Sequence, residues 1–252
     1  MSADPEKYPH LAQAPIVEAV IDWRVKLPTQ FDITRLKEPK ELLSRGYSPV
    51  DEQRQFEHIF QQTTGSEPQQ SFRQLGVQAY RFRNTDGTRI ANFKRDGFSF
   101  SRLKPYTSWD EVFNEAFELW RIYFSVAQPE EVSRIAVRYI NRLLFPLPII
   151  DFADYLTAPP AFPKYAPQYL SAFLAQAVVH DAESRIAANI TQAMESGPQA
   201  GKLPILLDID AYMNKGFEPD DDLFRNLFAE LREMKNRIFF SSLTTKTVEL
   251  FL

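Results

Sequence analysis

The sequence predicts an α+β fold: antiparallel sheets of hairpins with long amphipathic helices packed on one face. Stretches such as residues 16–25 and 133–144 alternate apolar and polar side chains, the period of a half-buried strand. Tight turns join neighbouring strand-like runs, where a parallel sheet would need crossover helices. Two longer stretches, starting at Trp109 and Leu223, repeat apolar residues at helical spacing.

Each element follows from local chemistry. In 16–25, Val17, Ala19, Ile21, Trp23 and Val25 share one face, and Glu18, Val20, Asp22 and Arg24 the other. Residues 31–45 suggest a helix interrupted near Pro39, and 56–63 a weaker strand. Residues 77–102 form a meander, with turns at Asn84-Thr85-Asp86-Gly87 and Arg95-Asp96-Gly97. Ser108 with Glu111 makes a capping box before the apolar series Val112, Phe113, Ala116, Phe117, Trp120, Tyr123 and Phe124. Residues 169–179 and 185–194 read as a second hairpin and 203–212 as another strand. Asp220, Asp221 and Asp222 start a helix over 223–235, where acids complement the dipole. The last residues are mixed and suit a short helix. The two halves are loosely similar, each with a hairpin, a further strand and one long helix.

The chain has 252 residues, 29 Lys+Arg against 33 Asp+Glu and a net charge of -4. Hydrophobic content of 44% and charged content of 25% exclude a disordered or collagenous chain. A single domain over 1–252 is expected, with a possible division into 1–145 and 168–252. The dividing connection, 146–167, holds six of the eighteen prolines. No stretch reaches the ~18 apolar residues of a membrane span, and the start of the chain does not read as a secretory signal. A soluble, cytoplasmic protein is expected, with no membrane association.

Absent cysteine removes disulfides, thiolate zinc sites and cysteine nucleophiles. The three histidines, His10, His58 and His180, lie far apart, so no histidine-rich metal centre is expected. No dinucleotide, phosphate-loop, serine-elbow or HExxH motif occurs. No cofactor is therefore expected.

Three charged groupings remain. The meander from 71 to 104 carries Arg73, Arg81, Arg83, Arg89, Lys94, Arg95, Arg102 and Lys104 among interleaved aromatics. That mixture suits stacked bases and phosphates, yet RFR and FKR place basic and aromatic residues on opposite faces, as an ordinary solvated sheet does. Arg134, Arg138 and Arg142 share one strand face. They either line a groove for an anion or pair with Glu18 and Asp22 on a neighbouring strand, and the pairing is favoured. Arg24 belongs with this group as a ligand-binding candidate. Asp208 and Asp210 stand two apart on one strand face, a spacing that suits a shared Mg²⁺ and suits a water-facing strand end better. No metal is expected. Triphosphate tunnel enzymes are similar in charge layout, but the face Glu18, Val20, Asp22, Arg24 fails the first half of their ExExK signature.

Ala14-Pro15-Ile16-Val17-Glu18-Ala19-Val20-Ile21-Asp22 resembles the opening of a family of sporadically distributed bacterial proteins of about this size. Pro105-Tyr106 with Trp109, Arg134 through Asn141-Arg142, and Phe240-Ser241-Ser242-Leu243-Thr244 are similar to it as well. The resemblance carries no activity, and the family's patchy distribution implies an accessory, defence-related setting. A non-enzymatic binding or interaction protein is expected, its partner a protein or a small anion ahead of nucleic acid. The alternative is an enzyme or pocket that binds a phosphorylated ligand or nucleotide through the arginine-lined face.

Overall fold

The computed structural model describes residues 7–61, 69–161, 163, 165–167, 169–197 and 200–252, and within them the side chains of all but 56–61 and 69–74. Nine antiparallel strands form one sheet: β1 (Ile16–Lys26), β2 (Tyr47–Gln61), β3 (Gln69–Asn84), β4 (Arg89–Lys94), β5 (Gly97–Leu103), β6 (Glu131–Pro146), β7 (Leu174–His180), β8 (Ala187–Met194) and β9 (Lys202–Phe217). Their order is β2-β3-β4-β5-β1-β6-β9-β8-β7. Helices α1 (Lys40–Ser44), α2 (Trp109–Ala127), α3 (Asp221–Ser242) and α4 (Thr245–Glu249) complete the chain.

The strand order reads the same way outward from its middle. β1 and β6 pair at the centre. From each, the chain leaves for an outer edge and returns beside its starting strand, as β5 beside β1 and β9 beside β6. A long helix then follows each return. The likeness of the two halves is thus a likeness of path.

Alternation decides what each face carries. Ala19, Ile21, Trp23 and Val25 of β1 point to the helix side and are buried. Ile135, Val137, Tyr139 and Leu143 of β6, and Ile205, Leu207, Ile209 and Ala211 of β9, continue that apolar surface. α2 covers it with Val112, Phe113, Ala116, Phe117, Trp120 and Tyr123; α3 does so with Phe224, Phe228, Leu231 and Ile238. Trp23 stacks on Trp120 with ring centroids 5.1 Å apart and meets Phe228 at 4.6 Å, so one side chain joins sheet and both helices.

The caps match the sequence. Ser108 accepts a hydrogen bond from the Glu111 amide at the start of α2, and Asp220 accepts one from Leu223 at the start of α3. Other boundaries differ. The interrupted helix at 31–45 is a 3-10 turn (Ile33–Leu36) followed by the five-residue α1, with Pro39 at its N-cap. The weak strand at 56–63 begins earlier, at Tyr47; as an edge strand it accommodates Pro49, while Gln62 and Thr63 lie outside the described residues. In the second hairpin, 169–173 stay in the connection and β7 begins at Leu174. α3 runs seven residues beyond the expected end, because neither glycine nor proline interrupts it and Ile238 and Phe239 prolong its buried stripe. The proline-rich connection holds one 3-10 turn, Phe152–Asp154, and Phe162 within it lies outside the described residues. No helix among the described residues is long and apolar enough to cross a membrane.

Phe117 and Phe228 are both fully buried between helices and sheet. Phe117→Ala and Phe228→Ala should each destabilise by about 3–5 kcal/mol, read from denaturant midpoints at constant m. An unchanged midpoint in either would contradict this packing.

Candidate functional site

The uncovered face of the sheet brings the expected residues together, and it pairs them. Asp22 accepts hydrogen bonds from Lys94 at 2.7 Å and from Arg134 at 3.2 Å. The other arm of Arg134 reaches both oxygens of Asp210, at 3.0 and 2.8 Å, while its guanidinium lies 4.7 Å over the Tyr212 ring. Arg138 grips Asp208 through Nε and Nη2, and this pairing raises the guanidinium pKa further. Arg142 bonds Glu195. Arg24 is mostly exposed and reaches only 3.9 Å from Asp22 and 3.7 Å from Asp96. Glu18 makes no ion pair among the described residues.

The favoured cross-strand pairing of the arginines therefore holds for Asp22. Asp208, Asp210 and Glu195 supply the remaining acids, in place of Glu18. Lys94, Arg134 and Arg138 stand against Asp22, Asp208 and Asp210, so three cations balance three carboxylates at the centre of this face. Asp208 and Asp210 are spent on guanidinium groups. No cluster of three potential metal ligands occurs among the described residues. A shallow polar hollow of about 240 Å³ lies between Arg138, Gln176, Asn189, Thr191, Asp208 and Asp210.

In the meander the aromatics turn inward. Tyr80, Phe82, Phe93, Phe98 and Phe100 are buried, with Phe93 and Phe98 against Tyr123 of α2, which removes them as a stacking platform for bases. Phe72 and Arg73 belong to the side chains outside the described set. Among the described residues the linear strand order leaves β2 and β7 as edges that pair with no further strand, and the sheet closes into no tunnel.

A larger space lies at the other side of the sheet, where β1 begins and β6 ends. It is a cleft of about 1420 Å³. The loop after β5 supplies Lys104 and Tyr106, the first turn of α2 supplies Trp109, and the second half of α3 supplies Arg232, Lys235 and Phe239. The segment before β1 straps one wall: Tyr8 stacks on Phe240 at 4.9 Å and hydrogen-bonds Glu233, as does Lys7. The Gln13 amide donates to the carbonyl of Phe251.

The wall is unbalanced in charge. Lys104, Lys202, Arg232 and Lys235 have no carboxylate within 4.0 Å among the described residues; the cleft acids are Glu233, taken by Lys7 and Tyr8, and Asp110. Lys235 is the unusual member. It is 9% exposed, lines the cleft and makes no hydrogen bond or ion pair among the described residues. Its ammonium nitrogen lies 3.9 Å from the centroid of the Tyr139 ring. Burial, assisted by repulsion from Arg232, pushes its pKa down to about 7. Beside it, the hydroxyls of Tyr106 and Tyr139 are 3.2 Å apart, and burial raises both phenol pKa values.

This cleft is absent from the sequence reading, although one signal for it was present. Phe224, Phe228, Leu231 and Lys235 follow one another at spacings of four, three and four, the period of a single helix face. A lysine there stands in an apolar stripe, which is rare without a partner. No family model, curated protein or solved structure matches the chain.

Two outcomes follow from these geometries. Arg134→Ala leaves Asp22 and Asp210, 14% and 21% exposed, each short of a partner, and should cost about 1–3 kcal/mol. Arg24→Ala should stay within about 0.5 kcal/mol. Equal unfolding midpoints for the two variants would refute the neutralised face. For Lys235, the folded pKa lies below the ordinary 10.5, so the unfolded chain binds more protons between about pH 7 and that value. Stability gains as pH rises through this window, and Lys235→Met removes the gain. The variant should be the more stable protein at neutral pH, with the difference in Tm shrinking toward about pH 10. A difference independent of pH would show that Lys235 is already solvated.

Proposed function

We propose that this is a non-enzymatic binding protein whose ligand is a small anionic molecule held in the cleft between α3, the start of α2 and the ends of β1 and β6. The observation that carries the reading is the set of four cations on the cleft wall that have no ion-pair partner among the described residues, one of them nine-tenths buried. Buried positive charge without a counter-ion is unfavourable, and a ligand carboxylate or phosphate would supply that counter-ion. Trp109, Tyr106 and Phe239 offer apolar and aromatic surface beside the charges, the usual make-up of a small-molecule site. The volume suits a ligand of nucleotide size or larger.

The arginine-lined face is the less supported location for the same chemistry, since its guanidinium groups already hold carboxylates. A cytoplasmic setting belongs to this reading and is supported by a chain free of cysteine. So does membership of the sporadically distributed bacterial family, on the residues that resemble it.

A thermal-shift series with inorganic phosphate, nucleotides and mono- and dicarboxylates tests the site. A ligand at about 100 times its Kd should stabilise by about 2.7 kcal/mol. Arg232→Ala should abolish the shift and Arg138→Ala should retain it. Loss of the shift in Arg138→Ala alone would move binding to the open face, and no shift with any anion would overturn the proposal.

A further inference from the structure

Lys235 combines three properties that an anion-holding lysine does not need. It sits inside an apolar helix stripe, it is withdrawn from water, and no acceptor is offered to its ammonium group among the described residues. Phosphate and carboxylate sites are served adequately by exposed or half-exposed cations, such as Lys104, Lys202 and Arg232 around the same cleft. A desolvated lysine beside a second cation is the arrangement that frees an amine to act as a nucleophile. Arg232 is that second cation, and its repulsion contributes to the low pKa of Lys235. The Tyr139 ring lies under the amine, and the hydroxyl of that ring is 3.2 Å from the hydroxyl of Tyr106.

We infer that Lys235 captures the carbonyl carbon of an aldehyde or oxo acid as a reversible imine, with the anionic group of the same molecule held by Arg232. This rests on the anion-binding reading of the cleft and names the ligand class within it. The neutral amine attacks the carbonyl carbon, forming the N–C bond as the C=O π pair moves to oxygen. A proton passes from nitrogen to that oxygen, giving a carbinolamine. The nitrogen lone pair then forms C=N while the C–O bond breaks, and the remaining N–H proton goes to the departing hydroxyl, which leaves as one water. No electrons are gained or lost, and hydrolysis reverses the sequence.

The groups facing the amine explain why this should proceed near neutrality. From α3 itself comes Arg232; from β6 the Tyr139 ring and hydroxyl; from the loop after β5 the Tyr106 hydroxyl. None carries negative charge at pH 7, so none holds the amine protonated. Withdrawal from water and the neighbouring guanidinium therefore leave far more free amine at pH 7 than a lysine of ordinary pKa offers.

The test uses the full chain with glyoxylate as probe and cyanoborohydride to trap the imine as a stable secondary amine, located by peptide mass spectrometry. Eleven lysines compete. At pH 7, Lys235 should be labelled at least about tenfold faster than any other, and oxalate, which has the charge without an electrophilic aldehyde, should slow it. Lys235→Arg, which keeps the positive charge but offers no attacking amine at neutral pH, should lose the adduct. Lys235→Met should lose the adduct with an undiminished melting temperature, which excludes misfolding as the cause. Oxalate stabilisation without a Lys235 adduct would overturn the imine and leave the anion site standing. Neither stabilisation nor adduct would overturn both. Uniform labelling of all lysines would overturn the imine alone.

Discussion

Trp23 is the side chain on which the sheet and both long helices converge. It lies on β1, one of the two central strands, opposite Phe98 on one side and Ile135 on the other. Its ring stacks parallel to Trp120 of α2, and Phe117 and Phe228 complete its cover. The Trp23 backbone is closely approached as well. Gly97, at the tip of the β4–β5 turn, faces the Trp23 carbonyl so closely that a Cβ there would lie 2.0 Å from its oxygen, and its φ of +151° is one that other residues rarely adopt. The indole N–H finds no acceptor among the described residues. That costs about 1–3 kcal/mol, and the core tolerates it because several aromatic contacts meet at the same ring.

Covering one face fixes the chemistry of the other. With α2 and α3 on the same side, the opposite side of every strand faces water, and alternation places its charged residues there. On the central strands those charges stand close enough to neutralise one another, in the sequence Lys94, Asp22, Arg134, Asp210 from β4 to β9. The outcome is a partly buried polar surface with little free charge. At the helix-covered side the balance differs. The cover is incomplete where α2 begins and the second half of α3 passes over Tyr139, and the strap from Lys7 to Gln13 roofs part of the gap without bringing carboxylates to its cations.

The fold was legible because its signals are local. Alternation in β1 and β6, the turns at Gly87 and Gly97, and the Ser108 and Asp220 caps each lie within a few residues of what they specify. Boundaries set by distant packing were less so: the extension of α3 to Ser242 depends on Ile238 and Phe239 finding the core. The arginine face was half legible. Period two showed that Arg134, Arg138 and Arg142 share a side, but nothing in one chain states that Asp208 and Asp210 of β9 and Glu195 after β8, rather than Glu18 of β1, join Asp22 as their acids. Which strands lie beside β6 decides that, and strand order is a long-range property. The cleft was the least legible, since its walls come from segments separated by up to the length of the chain.

One residue nevertheless marked the cleft in the sequence. A helix stripe of Phe224, Phe228, Leu231 and Ile238 is consistent with burial at every position but that of Lys235. Such a departure from otherwise consistent patterning costs stability, and it tends to fall where function constrains the residue. Arg134 does not have this character: although partly buried, it is held by two carboxylates and an aromatic ring and serves the sheet that contains it. Among the described residues Lys235 has neither carboxylate nor carbonyl partner, and the space in front of it is open. The difference between these two cations, one satisfied by its own fold and one left for something outside it, favours the cleft over the arginine face as the place where a ligand binds.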